Sequence, residues 1–478
     1  SSLTDNLRGH DISVQAVEDI LLPLWEDRPD AMPSEIWEVP PETTGAERTE
    51  RLGRLSQWLA DQNLDAVAIA SLDDIAWLLN IRGWDVPYNP VVVAYLLVER
   101  RGSRLFADLP PGEPAVSVRL ALQGAGVELR SYDSFYPALA GLPKEYRLAG
   151  DPELLPARVG SRFSGTFRRE TQPTRRWKAV KTPAEIEGMA EGAIRDGVAL
   201  AKLFHWLEAS LDAGKHLTEQ DCRDALVDFK ARDPDYLGES FEAISAGGSH
   251  GAIIHYRVTP GSNASLIPGD LYLLDQGSHY RFATTDATRV EALGHPDAAQ
   301  QEDYTEVLRA HIALATVRFP RGTRGEQIDT VARDVLWRSG RNYGHGTGHG
   351  VGFVLNVHEG PCRIAPKCSD VPLEPGMVLS NEPGLYRPGR YGIRFENLVT
   401  VVEEESPGSG NADFGPFLAL RTIGMAPLDP RLVDVHRLSP AEQAWVRRYQ
   451  STVLELIGPR VESQSRSWLE ARSKLLPD

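Results

Sequence analysis

The strongest constraint on this chain is a set of strand-like segments between Asp275 and Glu396 that alternate as buried strands do, yet carry ionisable groups. They read LLDQGSHYRFATTDATR, YGHGTGHGVGFVLNVHEGP, SNEPGLY and GIRFENLVTVVEE. Aspartates, histidines, glutamates and an arginine stand among apolar neighbours there. A buried carboxylate or guanidinium is strongly unfavourable unless it is paired and hydrogen-bonded. A fold that takes these segments into its core must bring a cation or a substrate to meet them.

Spacing sharpens the point. In LYLLD the strand period of two puts Leu271, Leu273 and Asp275 on one face, and in FATTD it does the same for Phe282, Thr284 and Asp286. A hairpin centred between Tyr280 and Arg281 would set the two carboxylates directly opposite each other. That arrangement is repulsive without a cation; an incidental surface hairpin is the bland alternative. VLSNEPG places Glu382 at a strand end, with Pro383 and Gly384 expected to force a turn. Read as a continuous strand, GIRFENLV puts Arg394 and Glu396 on one face, where the guanidinium can orient a carboxylate; alone, the pair also fits an exposed charge pattern.

Histidine decides between these readings. His345, His349 and His358 fall within 14 residues of one another, in a glycine-dense run where backbone can approach a ligand closely. One neutral imidazole with four carboxylates suits a divalent pair of the manganese, cobalt or zinc type. Spacing leaves open which histidine it is. His205 and His311 lie on helical patterns and read as packing or surface residues. His255 leaves GAIIHYR, which reads as a strand, and is a further candidate.

The rest of the chain reads as support. At 478 residues it exceeds one ordinary core, and 41% apolar with 25% charged residues is the balance of a globular enzyme. A net charge of −16, without a basic stripe, speaks against nucleic-acid binding. No apolar run reaches the ~18 residues of a membrane span, and SSLTDNLRGHDISVQ has no signal-peptide pattern. Three cysteines (Cys222, Cys362, Cys368) without metal spacing favour a reducing cytoplasm. Residues 1–44 are proline- and acid-rich and read as an extended connector. Residues 45–173 alternate strand and helix patterns, a compact α/β unit. Residues 174–478 form the larger unit. Thr182, followed by Pro183 and Glu185, predicts a capping box opening a long helix stopped at Gly214; Thr218 caps the next. A helical pair follows Ser439.

The order Asp275, Asp286, HGTGHGVG, NEPG and IRFEN resembles the pita-bread metallopeptidases, which include methionine aminopeptidase, prolidase, aminopeptidase P and creatinase. Similarity is greatest to the cytosolic aminopeptidase P branch, through DDIAWLLNIRGWDVPYNPV, GAIIHY, LLDQGSHY, TTDATR, YGHGTGHGVG, LNVHEGP, NEPGLY and GIRFENLV. The resemblance implies an α+β fold: a pita-bread catalytic domain preceded by a smaller creatinase-like α/β domain. It implies that Asp275, Asp286, His349, Glu382 and Glu396 hold two divalent metals, manganese foremost. It implies that His255, His345 and His358 surround a peptide substrate with proline second, that Glu382 also handles the proton, and that Arg394 supports the metal shell. A cytoplasmic homodimer is the accompanying expectation, with prolidase-like dipeptidase activity and a non-catalytic protein-binding domain as alternatives. Two departures stand out. Phe282 and Ala283 replace a glycine-containing turn, which predicts an altered hairpin. Long members carry two creatinase-like domains where this sequence has room for one, and residues 1–44 resemble the connector after the first.

Overall fold

The computed structural model describes residues 33–367, 370–404 and 415–476, with shorter stretches between 7 and 28. Cys368 and most of the SPGSGNADFGP loop lie outside the described residues. The chain divides into two compact units, residues 1–178 and 179–478.

The first unit runs β1 (Ile36–Glu38), α1 (Arg48–Asp61), β2 (Ala66–Ile69), α2 (Leu72–Leu79), β3 (Ile81–Gly83), β4 (Tyr95–Glu99), β5 (Gly102–Phe106), α3 (Glu113–Gly124), β6 (Val127–Arg130), α4 (Phe135–Ala140), β7 (Arg147–Gly150) and β8 (Thr166–Arg169). Six strands form a mixed sheet in the order β6-β5-β4-β2-β7-β8. Every residue of β2 is buried, as an uninterrupted apolar run in a sheet covered on both faces should be. Leu97, Phe106, Phe135 and Leu148 pack in its core. Within the stretch read as a connector, β1 pairs antiparallel with β3.

The second unit opens with α5 (Pro183–Asp212). Thr182 accepts from the Glu185 amide while the Glu185 carboxylate accepts from the Thr182 amide, so the expected capping box is present. Gly214, at φ +73°, follows the helix end. α6 (Glu219–Lys230) starts from Thr218 with the same device. Then come β9 (Tyr236–Glu239), β10 (Ile244–Gly247), β11 (Leu271–Gln276), β12 (Ser278–Tyr280), β13 (Ala283–Thr284), β14 (Ala287–Ala292), α7 (Ala298–Ala315), β15 (Arg318–Pro320), α8 (Gly325–Trp337), β16 (Gly348–Gly350), β17 (Glu359–Ile364), β18 (Val378–Asn381), β19 (Gly384–Arg387), β20 (Tyr391–Arg394), β21 (Asn397–Glu404), β22 (Phe417–Thr422), α9 (Pro440–Ile457) and α10 (Ser463–Ser473). The last two are the helical pair expected after Ser439. The sheet orders are β10-β11-β14, β13-β12-β9 and β15-β22-β21-β18-β16-β17, with β19 and β20 paired alone. Leu273, Val290, Val307, Leu379, Val399 and Leu420 join these strands to α7 in one core.

Two long interrupted hairpins organise this unit. In the first, Asp275 pairs with Thr288 and Gln276 with Ala287, and the ladder resumes with His279 opposite Thr284 and Tyr280 opposite Ala283. The turn is therefore Arg281–Phe282, a two-residue loop. The expected centre between Tyr280 and Arg281 is one residue too early, and the two aspartates are diagonal neighbours, not direct partners. Phe282 anchors the turn, stacked on Tyr280 and covered by the Arg195 guanidinium. In the second hairpin Asn381 pairs with Asn397 and Gly384 with Arg394, in unchanged register. Glu382 and Pro383 thus face Glu396 and Phe395 across a break. Pro383–Gly384 forms no turn, because β19 simply continues the hairpin, and GIRFENLV is two strands with Glu396 in the gap.

GAIIHYR is not a strand. Gly248–Ala252 is a 3-10 turn and His255 lies in the turn after it. Close backbone approach explains this: a side chain on Gly251 would begin 3.0 Å from the Gly392 amide nitrogen, and one on Gly392 would meet the Gly251 carbonyl at 1.7 Å.

Candidate metal centre

The strand breaks deliver most of the ionisable groups. Asp275 projects from β11, and Asp286 sits in the gap between β13 and β14, facing Gly277 across the first hairpin. Glu382 follows β18 and Glu396 precedes β21. A residue in a break has lost its ladder partners, so its backbone is held otherwise. The Glu382 amide donates to Thr347 O (2.8 Å) and the Glu396 amide to Thr288 O (3.2 Å). His349 lies on β16, beside β18.

These side chains converge. Ligand atoms of Asp275, Asp286 and Glu396 lie within 4.8 Å of one another, as do those of His349, Glu382 and Glu396, and those of Asp286, His349 and His358. The first two sets share Glu396. His349 Nδ1 is 2.9 Å from Gly350 O, which can only accept, so Nδ1 carries the proton and Nε2 presents its lone pair. That Nε2 is 3.3 Å from Asp286 and 3.5 Å from Glu382. Ser380 ties the pair together, accepting from the His349 amide (3.0 Å) and donating to Glu382 (3.1 Å).

Electrostatics show what the cluster lacks. Burial, then Asp275 and Glu382, push the Asp286 carboxyl well above its ordinary value. Burial, followed by Asp286, Glu382 and Asp275, does the same to Glu396, and burial raises Glu382 against the pull of His349 and Arg394. Asp275 Oδ1 is buried with no hydrogen-bond partner. Crowded carboxylates, an unpartnered carboxylate oxygen and an outward imidazole lone pair fit divalent cations, and oxygen donors with one nitrogen suit manganese, cobalt or zinc.

Arg394 is fully buried and donates to Asp275, to Thr288 Oγ1 (3.1 Å) and to Tyr386 Oη (2.7 Å). Its hydrogen-bond path to Glu396 runs through Thr288, whose hydroxyl donates to Glu396 Oε2 (2.7 Å), while its charge also acts on Glu396 directly. This corrects the direct Arg394–Glu396 pairing expected from a continuous strand. Tyr386 Oη is 2.8 Å from His345 Nε2, and His345 Nδ1 donates to Gly346 O (2.7 Å). Burial, then Arg394, lowers the His345 pKa to about 4, so this ring is neutral. Desolvation, then His349, holds His358 at about 4 as well; its ring stands 4.1 Å from that of His349, edge to face. His255 is exposed and acts electrostatically on both His345 and His358. His205 bonds Ser465 and contacts Trp468, while His311 is buried against the Asn381 carbonyl, so both are packing residues.

Thr288, Ser380 and Tyr386 were not singled out from the sequence. Thr288 was within reach, since it follows Asp286 by one strand period. Tyr386 gave no signal, because its link to His345 crosses 41 residues of sequence and its link to Arg394 depends on the β19–β20 pairing.

Comparison with known proteins accords with this geometry. Residues 187–403 match the model of metallopeptidase family M24, residues 27–185 the creatinase/prolidase N-terminal domain, and residues 416–476 the C-terminal region of the M24 peptidases. The chain is 38% identical to aminopeptidase P2 of Arabidopsis thaliana, over 89% of this chain and 64% of that protein. It is 36% identical to a probable Xaa-Pro aminopeptidase P of Coprinopsis cinerea, over 93% of this chain and 74% of the relative. It therefore spans somewhat under two thirds of the plant protein. Its fold superposes on the X-prolyl aminopeptidase of Caenorhabditis elegans, described as a cytosolic enzyme with a di-nuclear active site, with TM-score 0.92 at 31% identity, over 99% of this chain and 78% of that one. An Xaa-Pro dipeptidase from Bacillus anthracis shares the fold at TM-score 0.64 and 23% identity, over 80% of this chain and 99% of that one. A creatinase-like unit, a pita-bread unit and relatives of this identity along most of the sequence lead to one assignment: the chain belongs to metallopeptidase family M24.

Proposed function

We propose that the chain is a dinuclear metal-dependent aminopeptidase of the cytoplasm that hydrolyses the bond between an N-terminal residue and a following proline. The observation that carries this reading is the convergence of Asp275, Asp286, His349, Glu382 and Glu396 on two ligand sets sharing Glu396. The names of the relatives support the substrate class. Asp275, Asp286, His349, Glu382 and Glu396 would hold two cations, manganese foremost. When bound, such a pair makes a water acidic enough to attack near neutral pH and polarises the scissile carbonyl.

The chain's own groups do the rest. Glu382, its pKa raised by burial, takes the proton of the attacking water and delivers it to the departing proline nitrogen. Among the described residues neither ring nitrogen of His358 makes a hydrogen bond, whereas a ligand histidine ordinarily donates its second N–H, as His349 does. That favours the substrate over the metal as its partner. Neutral at pH 7, it offers one N–H to the developing oxyanion. Both nitrogens of His345 are engaged, so it presents its ring face to the proline, with His255 beside it.

The test is dependence on metal and on proline together. Chelator-stripped protein should leave Arg-Pro-Pro intact, and manganese should restore cleavage to Arg and Pro-Pro, with Arg-Ala-Pro a poor substrate throughout. Cleavage indifferent to chelation, or equal on both tripeptides, would refute the proposal.

A further inference from the structure

Arg289 is among the largest fully buried side chains of the molecule, 1% exposed, and no step above uses it. It lies on β14, next to Thr288. Nε donates to Pro427 O (3.1 Å). Nη1 donates to Thr288 O (2.8 Å) and Glu396 O (2.6 Å). Nη2 donates to Asn397 Oδ1 (2.7 Å), Ala426 O (3.0 Å) and Tyr449 Oη (2.6 Å). All of these acceptors are uncharged. The guanidinium also stacks over Phe395, its carbon 4.3 Å from the ring centroid. A buried cation fully spent on neutral acceptors is costly as a pure stability device, since an apolar side chain of similar volume would fill the space without desolvating a charge.

The acceptors explain its presence. Glu396 sits where the second hairpin is broken, so its carbonyl has no ladder donor; Nη1 supplies one and binds Thr288 O as well. Thr288 Oγ1 in turn holds the Glu396 carboxylate, and Thr288 O receives the Glu396 amide. One guanidinium thus links the hairpin bearing Asp275 and Asp286 to the gap bearing Glu396, and both to Ala426, Pro427 and Tyr449 of the C-terminal region.

We propose that Arg289 is a positioning residue of the metal centre: a brace that fixes Glu396 relative to the first hairpin, with Ala426, Pro427 and Tyr449 as its outer anchor. The C-terminal region is then part of the frame that sets metal affinity. This rests on the two-metal reading above. Lysine at this position keeps the charge but cannot span two backbone carbonyls and the outer anchor at once.

The experiment is a manganese titration of metal-free protein, wild type against Arg289→Lys, followed by binding calorimetry and electron paramagnetic resonance. We expect wild-type protein to bind two ions, and Arg289→Lys to bind at least one of them ~10–100-fold more weakly, the usual effect of removing support behind a ligand. Excess manganese should then restore part of kcat. Tyr449→Phe, which removes the hydroxyl's bonds to Arg289, Asn397 and Ala426 and retains the ring, should weaken binding in the same direction by a smaller factor, and it stands in should Arg289→Lys fail to fold. Wild-type manganese affinity in a folded Arg289→Lys, or in Tyr449→Phe where the lysine variant does not fold, overturns the proposal even if thermal stability drops. A wild-type protein that binds no manganese would instead sink the two-metal reading itself.

Discussion

Asp286→Ala and His349→Ala each remove a group that, on this reading, faces a cation, so turnover should vanish because metal is lost. Metal analysis after gel filtration should find less manganese than in wild type; a full complement with wild-type activity would remove either residue from the ligand set. His358→Ala should behave differently. It should keep its metal and lose ~10²–10³-fold in kcat, the effect of deleting one oxyanion donor, and an unchanged kcat would exclude that role. At this scale the sequence was informative, because carboxylates and imidazoles among alternating apolar residues are conspicuous. Thr288 and Arg289 were less visible. A threonine and an arginine beside an aspartate acquire meaning only when a second hairpin, more than a hundred residues on, supplies the groups they touch.

At the scale of elements, the two interrupted hairpins do the positioning. The breaks release backbone from its ladder and turn carboxylates inward while the register continues on either side. Gly277 is essential to the first break: a Cβ there would lie 2.2 Å from Ser240 Oγ and 2.2 Å from the Thr285 carbonyl. Gly277→Ala should therefore push Thr285 and its neighbour Asp286, costing about 1–3 kcal/mol of stability and weakening manganese binding. Urea denaturation with a manganese titration would check both, and wild-type values in both would show that the break tolerates a side chain. Helix starts were legible in advance, because Thr182 with Glu185 and Thr218 with Asp221 are local devices. Register was not. The loop at Arg281–Phe282 is set by Phe282 packing on Tyr280 and under Arg195, contacts the strand period does not encode. The 3-10 turn at Gly248–Ala252 has no local signal in the sequence, because it answers to Gly392, on a distant strand.

For the whole molecule, the carboxylate cluster ties stability to pH and metal. Asp286 and Glu396 are raised in the folded state above their unfolded values, so the folded protein holds protons that the unfolded chain releases. Their contribution is fully present below the ordinary carboxylate range and is lost as pH rises through the raised values. Metal-free protein should therefore lose thermal stability from acid toward neutral pH, and bound manganese should flatten that slope; identical pH profiles with and without metal would contradict it. Among the described residues no helix is long and apolar enough to cross a membrane. Which bond is cut on this reading, and in what length of peptide, is tested most directly by one product analysis. Manganese-loaded protein is incubated with Arg-Pro-Pro and, separately, with Ala-Pro, and the products are separated by chromatography. The account predicts release of arginine and Pro-Pro from the tripeptide. An intact tripeptide beside a cleaved dipeptide would contradict it and make the chain a dipeptidase.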